Sequence, residues 1–111
     1  GIFLNAKNRI IAIEKLFSGS ITGTAVYPRE IVKKVLQHKA VGLILTHNHP
    51  SGDTAPSVED RQITAGIGLL LSAMGVSLHD HIIIGDGHHS MADSGWLSQA
   101  KHMFHQVTQN I

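Results

Sequence analysis

His47, His49 and Asp60 stand close together in the stretch His47-Asn48-His49-Pro50-Ser51-Gly52-Asp53-Thr54-Ala55-Pro56-Ser57-Val58-Glu59-Asp60. Neutral imidazole is the commonest protein ligand for transition metals, and a carboxylate completes many such sites. His47 and His49 are two positions apart, so in an extended backbone both rings project to the same side, with Cα atoms about 7 Å apart. Two imidazoles and one carboxylate make three ligands and leave a fourth corner for water, the arrangement of catalytic zinc sites. Ser57, three residues before Asp60, would face that water or a polarised carbonyl oxygen if the two side chains converge. The same Ser57-Val58-Glu59-Asp60 is also a helix-start signature, a capping serine with an acid at the third position, and that role alone accounts for both residues. Both readings stand on the spacing.

The flanking sequence says which elements would carry these groups. Val41-Gly42-Leu43-Ile44-Leu45 is a continuous apolar run, the pattern of a strand covered on both faces, and it leads directly into the histidines. Ile63, Ile67, Leu70, Leu71 and Met74 then recur at helical spacing, which predicts a helix from Ser57 to Gly75. Loops leaving the carboxyl end of a buried strand are where open α/β sheets place ligands. Pro50 and Pro56 stiffen this one, Ser51-Gly52-Asp53 supplies a turn, and Asp60 falls in the first helical turn, where the dipole favours a carboxylate.

The remaining elements complete a domain. Gly1 to Leu4 and Ile10 to Ile13 flank the turn Asn5-Ala6-Lys7-Asn8 and predict an opening hairpin. Its first strand is expected to be an exposed edge, a route to a homodimer. Thr22-Gly23-Thr24 reads as loop and Ala25-Val26-Tyr27 as a short strand. Pro28 at a first helical position, Glu30 in the first turn, and Ile31, Val32, Val35 and Leu36 predict a helix over 28–38. Val76 to Ile84 reads as a strand with Ile82-Ile83-Ile84 as its buried part, Gly85-Asp86-Gly87 as a turn and His88 to Met91 as a short strand. Trp96, Leu97, Ala100, Met103, Phe104 and Val107 line a last amphipathic helix, with Trp96 and Phe104 as core. Strands alternating with helices predict an α/β fold with a mixed sheet and helices on both faces.

Composition narrows the partners. At 111 residues the chain is one domain, 1–111. Nine basic residues against eight acidic ones, scattered along the chain, argue against an electrostatic nucleic-acid footprint. The absence of cysteine excludes disulfides and thiolate metal sites. No apolar run approaches the length of a membrane span, so a soluble protein of the cytoplasm is expected. Of the nine histidines, His88, His89, His102 and His105 read as exposed polar positions, and His81 as a hydrogen-bonded structural pair with Asp80, the alternative being a place behind the metal ligands.

The spacing of His-x-His, seven residues, then Ser-x-x-Asp resembles the JAMM motif of MPN-domain metalloproteases. Together with Tyr27-Pro28-Arg29-Glu30, His49-Pro50-Ser51-Gly52-Asp53 and Asp80-His81-Ile82-Ile83-Ile84-Gly85, it is similar to the bacterial RadC family, historically labelled DNA repair proteins. The likeness runs along nearly the entire chain. It implies a cytidine-deaminase-like three-layer α/β/α fold, Zn2+ on His47, His49 and Asp60, and Ser57 as the hydroxyl on the oxyanion side. It further implies a metallopeptidase or isopeptidase in which a zinc-activated water attacks an amide carbonyl of a peptide or protein substrate. Its catalytic glutamate opens the first strand of the domain, so the general base is expected just upstream of Gly1, in a longer protein of which this is the C-terminal part. Glu14 and Glu30 are the alternatives within the chain. A non-catalytic interaction module of a DNA repair protein that retains a structural metal, and a metal-dependent phosphoesterase for which Asp53 is the spare carboxylate, are the competing functions.

Overall fold

A computed structural model of the chain describes residues 1–19 and 26–109. Asn5 shapes the first turn: its side-chain oxygen accepts the backbone N–H of Lys7 at 2.9 Å and of Arg9 at 3.0 Å, while Asn8 adopts the left-handed conformation that asparagine tolerates. The turn closes an antiparallel hairpin of β1 (Ile2–Leu4) and β2 (Ile10–Ile13). Then follow α1 (Pro28–His38), β3 (Gly42–Asn48), α2 (Val58–Ala73), β4 (Ser77–Gly85), β5 (Gly87–Ser90) and α3 (Trp96–Thr108). The expected strand at Ala25, Val26 and Tyr27 falls partly outside the described residues, as does the Thr22-Gly23-Thr24 loop. Val26 and Tyr27 lead into α1 without forming a strand.

The five strands form one mixed sheet in the order β2-β1-β3-β4-β5, so the α/β class with a mixed sheet holds. Among the described residues, only β3 and β4 are parallel, with α2 as the helix their crossover requires. β1 is not the edge that the sequence led us to expect. Its hairpin partner occupies the outer side and its other side pairs with β3, so β2 forms the edge.

Alternate residues build the core. Register puts Phe3, Leu43, Leu45, Leu78 and Ile83 on one face of the sheet, where they join Ile31 and Val35 of α1, Ile67 and Leu71 of α2, and Leu97 of α3 in one buried cluster. Burying each such side chain contributes about 1.5–3 kcal/mol, so this face carries most of the fold's apolar stabilisation. The period-two pattern also corrects two expectations. Ile83 is fully buried while Ile84 is 47% exposed, so the isoleucine run is not buried throughout, and Val41 lies outside β3 at 43% exposed. In α3, which packs on α2, Leu97 and Ala100 are buried and Trp96 packs against the core, but Met103 and Val107, further along the helix, are exposed. The Phe104 side chain lies outside the described residues. Among the described residues, no helix is long and apolar enough to cross a membrane.

Leu43→Ala should therefore lower stability by about 2–5 kcal/mol through lost burial and a cavity. Met103→Ala should stay within about 0.5 kcal/mol of wild type. Denaturant midpoints measure both, and equal losses would contradict this assignment of the core.

Candidate metal centre

Strand geometry does persist through the first histidine. β3 runs to Asn48, and the His49 backbone N–H reaches the Ile84 carbonyl at 2.8 Å, which extends the ladder one residue further. The two imidazoles consequently lie on one side, with ring centroids 4.7 Å apart. Beyond them the chain turns sharply, with Gly52 at φ 88° and its N–H bonded to the His49 carbonyl at 3.0 Å. The loop is pressed onto the turn between β4 and β5: a Cβ on Gly85 would stand 2.5 Å from the Gly52 carbonyl oxygen. That seat brings the Asp53 carbonyl within 2.7 Å of His49 Nδ1. A carbonyl only accepts, so Nδ1 carries the hydrogen, and in the neutral ring Nε2 keeps its lone pair.

α2 supplies the carboxylate through its first turn. The Ser57 hydroxyl oxygen accepts the Asp60 backbone N–H at 3.0 Å, and Asp60 Oδ2 accepts the Ser57 backbone N–H at 2.8 Å, a reciprocal capping box. The capping box and the approach to both imidazoles coexist here. Asp60 Oδ1 lies 3.1 Å from His47 Nε2 and Oδ2 lies 3.1 Å from His49 Nε2, with Asp60 only 1% exposed. Burial alone would push this carboxyl up. The Ser57 backbone and side chain and the two imidazoles more than offset that and hold it below the ordinary aspartate value. One ligand atom from each of the three residues lies within 4.8 Å of the others, a group that could hold a metal ion. Ser57 lines the same cavity, and its own hydroxyl hydrogen is not used in the capping box.

Two further residues stand behind His47: His81, for which sequence reasoning preferred a pair with Asp80 over a place behind the candidate ligands, and Thr64, which it did not single out. His81 does not pair its ring with Asp80, whose carboxylate takes the His81 backbone N–H at 2.7 Å, the Ser90 hydroxyl and the Ala92 N–H. The His81 ring lies instead with Nε2 2.7 Å from His47 Nδ1 and Nδ1 2.5 Å from the Thr64 hydroxyl. A shift in register puts it there. Leu43 pairs with Leu78 but Ile44 with Asp80, so His79 bulges out, and every later residue of β4 moves to the opposite face. Gly42 makes room, since the His79 ring occupies the place where a Cβ would lie, with Nε2 at 2.6 Å. Desolvation, with His47 adjacent, pushes the His81 imidazole down to about 4, and burial likewise lowers His47. His47 Nε2 is buried and has no hydrogen-bond partner among the described residues.

A cavity of about 850 Å³ opens on His47, His49 and Asp60 and continues along Ile13, Leu16, Phe17 and Ile63. Glu14 lines it too, just past the end of β2, but is not a free solvated strand residue: Lys34 Nζ lies 3.2 Å from one of its oxygens and His38 bonds the other. Those bonds, the one to His38 foremost, lower its pKa and make it a weaker proton acceptor. Glu30 is exposed in the first turn of α1.

The buried imidazoles fix a pH dependence. Because His81 titrates at 6.5 when unfolded and about 4 when folded, the unfolded chain binds the extra proton in that window. Its contribution is thus fully present above pH 6.5 and is lost as pH falls toward 4. Denaturant titrations of the metal-free chain should show a decline on the order of 3 kcal/mol across this range. A flat profile would refute the burial of a neutral ring.

The family model described as RadC-like JAB domain matches residues 1–96. Curated relatives named UPF0758 protein are 50% identical over 97 residues in Stutzerimonas stutzeri and in Thiobacillus denitrificans, and 48% in Azotobacter vinelandii. In each case the match covers 86% of this chain and 43% of the relative, so the chain spans less than half the length of the proteins it resembles. On the strength of these matches, the chain belongs to the RadC family.

Proposed function

We propose that this domain is a zinc-dependent hydrolase of amide or isopeptide bonds in peptide or protein substrates, with His47, His49 and Asp60 as ligands. The observation that carries the reading is the disposition of donors: two imidazole Nε2 atoms each 3.1 Å from a carboxylate sealed from water, beside an open cavity. The orphaned Nε2 of His47 fits an absent cation, since a buried lone pair without a partner is costly unless something occupies it. Two nitrogens and an oxygen suit zinc, which when bound supplies Lewis acidity for activating water and polarising a carbonyl.

The chain's own residues would do the rest. Asp60 holds negative charge opposite both rings, and the Asp53 carbonyl orients His49. Ser57 directs its hydroxyl hydrogen to the oxyanion that develops on the substrate carbonyl. The apolar wall formed by Ile63, Leu16 and Phe17 accepts a substrate side chain and excludes water around the scissile bond. The general base is assigned to the part of the longer relatives that this chain does not span, because the bonds from His38 and Lys34 lower the basicity of Glu14. A second metal, as phosphoesterases use, finds less support: the Asp53 side chain accepts the Ala55 N–H at 3.0 Å and is spent on the turn.

Stripped of metal and supplied with zinc, the chain should bind one ion. His49→Ala should weaken that binding by more than the roughly 10–100-fold that outer-shell changes cost, with the fold retained. Metal analysis and circular dichroism read these two outcomes. Joined to the preceding segment of a relative, the zinc-loaded domain should cleave peptide or isopeptide substrates and His49→Ala should not. Zinc uptake untouched by His49→Ala would remove the ligand assignment, and unfolding on zinc removal without any cleavage would favour a structural metal in an interaction module.

A further inference from the structure

The contacts behind His47 form a closed path that begins and ends on the same residue. The Thr64 hydroxyl donates to the Asp60 carbonyl at 2.6 Å, the bond from a helical threonine back to residue i−4. A hydroxyl has one hydrogen, so towards His81 Nδ1, 2.5 Å away, Thr64 can only accept. His81 therefore carries its hydrogen on Nδ1, and the neutral ring presents a lone pair at Nε2. That lone pair lies 2.7 Å from His47 Nδ1, which must donate. His47 is left with its own lone pair on Nε2, the buried atom that faces Asp60 Oδ1.

The opposite proton order meets an obstacle at each end. It would turn the Thr64 hydroxyl away from a carbonyl well placed to accept it. It would also aim a hydrogen from His47 Nε2 at Asp60 Oδ1, which lies 3.1 Å away but outside hydrogen-bond geometry. We infer that Thr64 and His81 are positioning residues that hold His47 in the single tautomer able to offer Nε2 to a cation, with the proton order set by the backbone carbonyl of Asp60. Neither residue touches the cation or a substrate. The final link, from lone pair to metal, rests on the zinc reading proposed above, whereas the order of protons does not.

Tautomers in the metal-free chain are read by long-range proton–nitrogen correlation spectra of 15N-labelled protein at neutral pH. Both His47 and His81 should appear as Nδ1–H rings, and His47 carrying its hydrogen on Nε2 would overturn the inference. Thr64→Val removes the hydroxyl with little change of shape. It should mix the tautomers of both rings and weaken zinc binding about 10–100-fold. Thr64→Ser, which restores the hydroxyl, should recover both properties. Wild-type tautomers and affinity in Thr64→Val, or a Thr64→Ser as impaired as Thr64→Val, would also overturn it. A wild-type chain with the expected tautomers that binds no zinc would remove the proposed hydrolase and leave the proton order intact, so the two claims fail separately.

Discussion

A carboxylate shut away from water must have its charge answered from within the protein, and Asp60 is the group around which this domain satisfies that demand. Its oxygens receive the N–H of Ser57 and face two imidazoles, its N–H is capped by the Ser57 hydroxyl, and its carbonyl takes the hydroxyl of Thr64. Uncompensated, a buried ionised carboxylate would be strongly disfavoured. The start of α2, the loop before it and the end of β3 are therefore tied to one another through a single side chain. Packing positions these elements to within the tolerance of a core, and the buried charge then selects one arrangement among those that packing allows.

Much of this could be read from residue types. The apolar period of 3.6 located all three helices, and the spacing from His47 to Asp60 singled out the three side chains that now face one another. Ser57 showed why two readings of one motif need not exclude each other, since a capping box and a ligand-facing carboxylate use different lone pairs of the same residues. What could not be read was parity. Whether His81 faces the site or its opposite depends on one bulged residue, His79, and on the missing Cβ of Gly42 that accommodates it. A bulge leaves no periodic signal, and His81 beside Asp80 looked like a local pair. Likewise, helical spacing showed which residues of α3 share a stripe but not how far along it α2 packs, and Met103 and Val107 on that stripe are exposed.

Membership of the RadC family fixes the kind of scaffold, and the site gives it a chemical character of its own. The two histidines and Asp60, drawn from a strand end and a helix start, converge over a cavity whose far wall is apolar. The strand end supplies stiffness, since β3 is flanked by strands on both sides, and the helix start supplies charge complementarity through its dipole. A parallel strand pair joined through a helix is thus both the topological signature of the sheet and the reason these groups meet.

The two histidines differ in what stands behind them, and the difference bears on how the site can drift over evolutionary time. His49 leans on the carbonyl of Asp53, a group that every amino acid provides, so any residue compatible with the turn at position 53 preserves that support. His47 leans on the side chains of His81 and Thr64, where few replacements offer the same donors and acceptors. One half of the centre is thereby buffered against substitution by its reliance on main chain. The other half is vulnerable to inheritance of a single altered codon far from the motif.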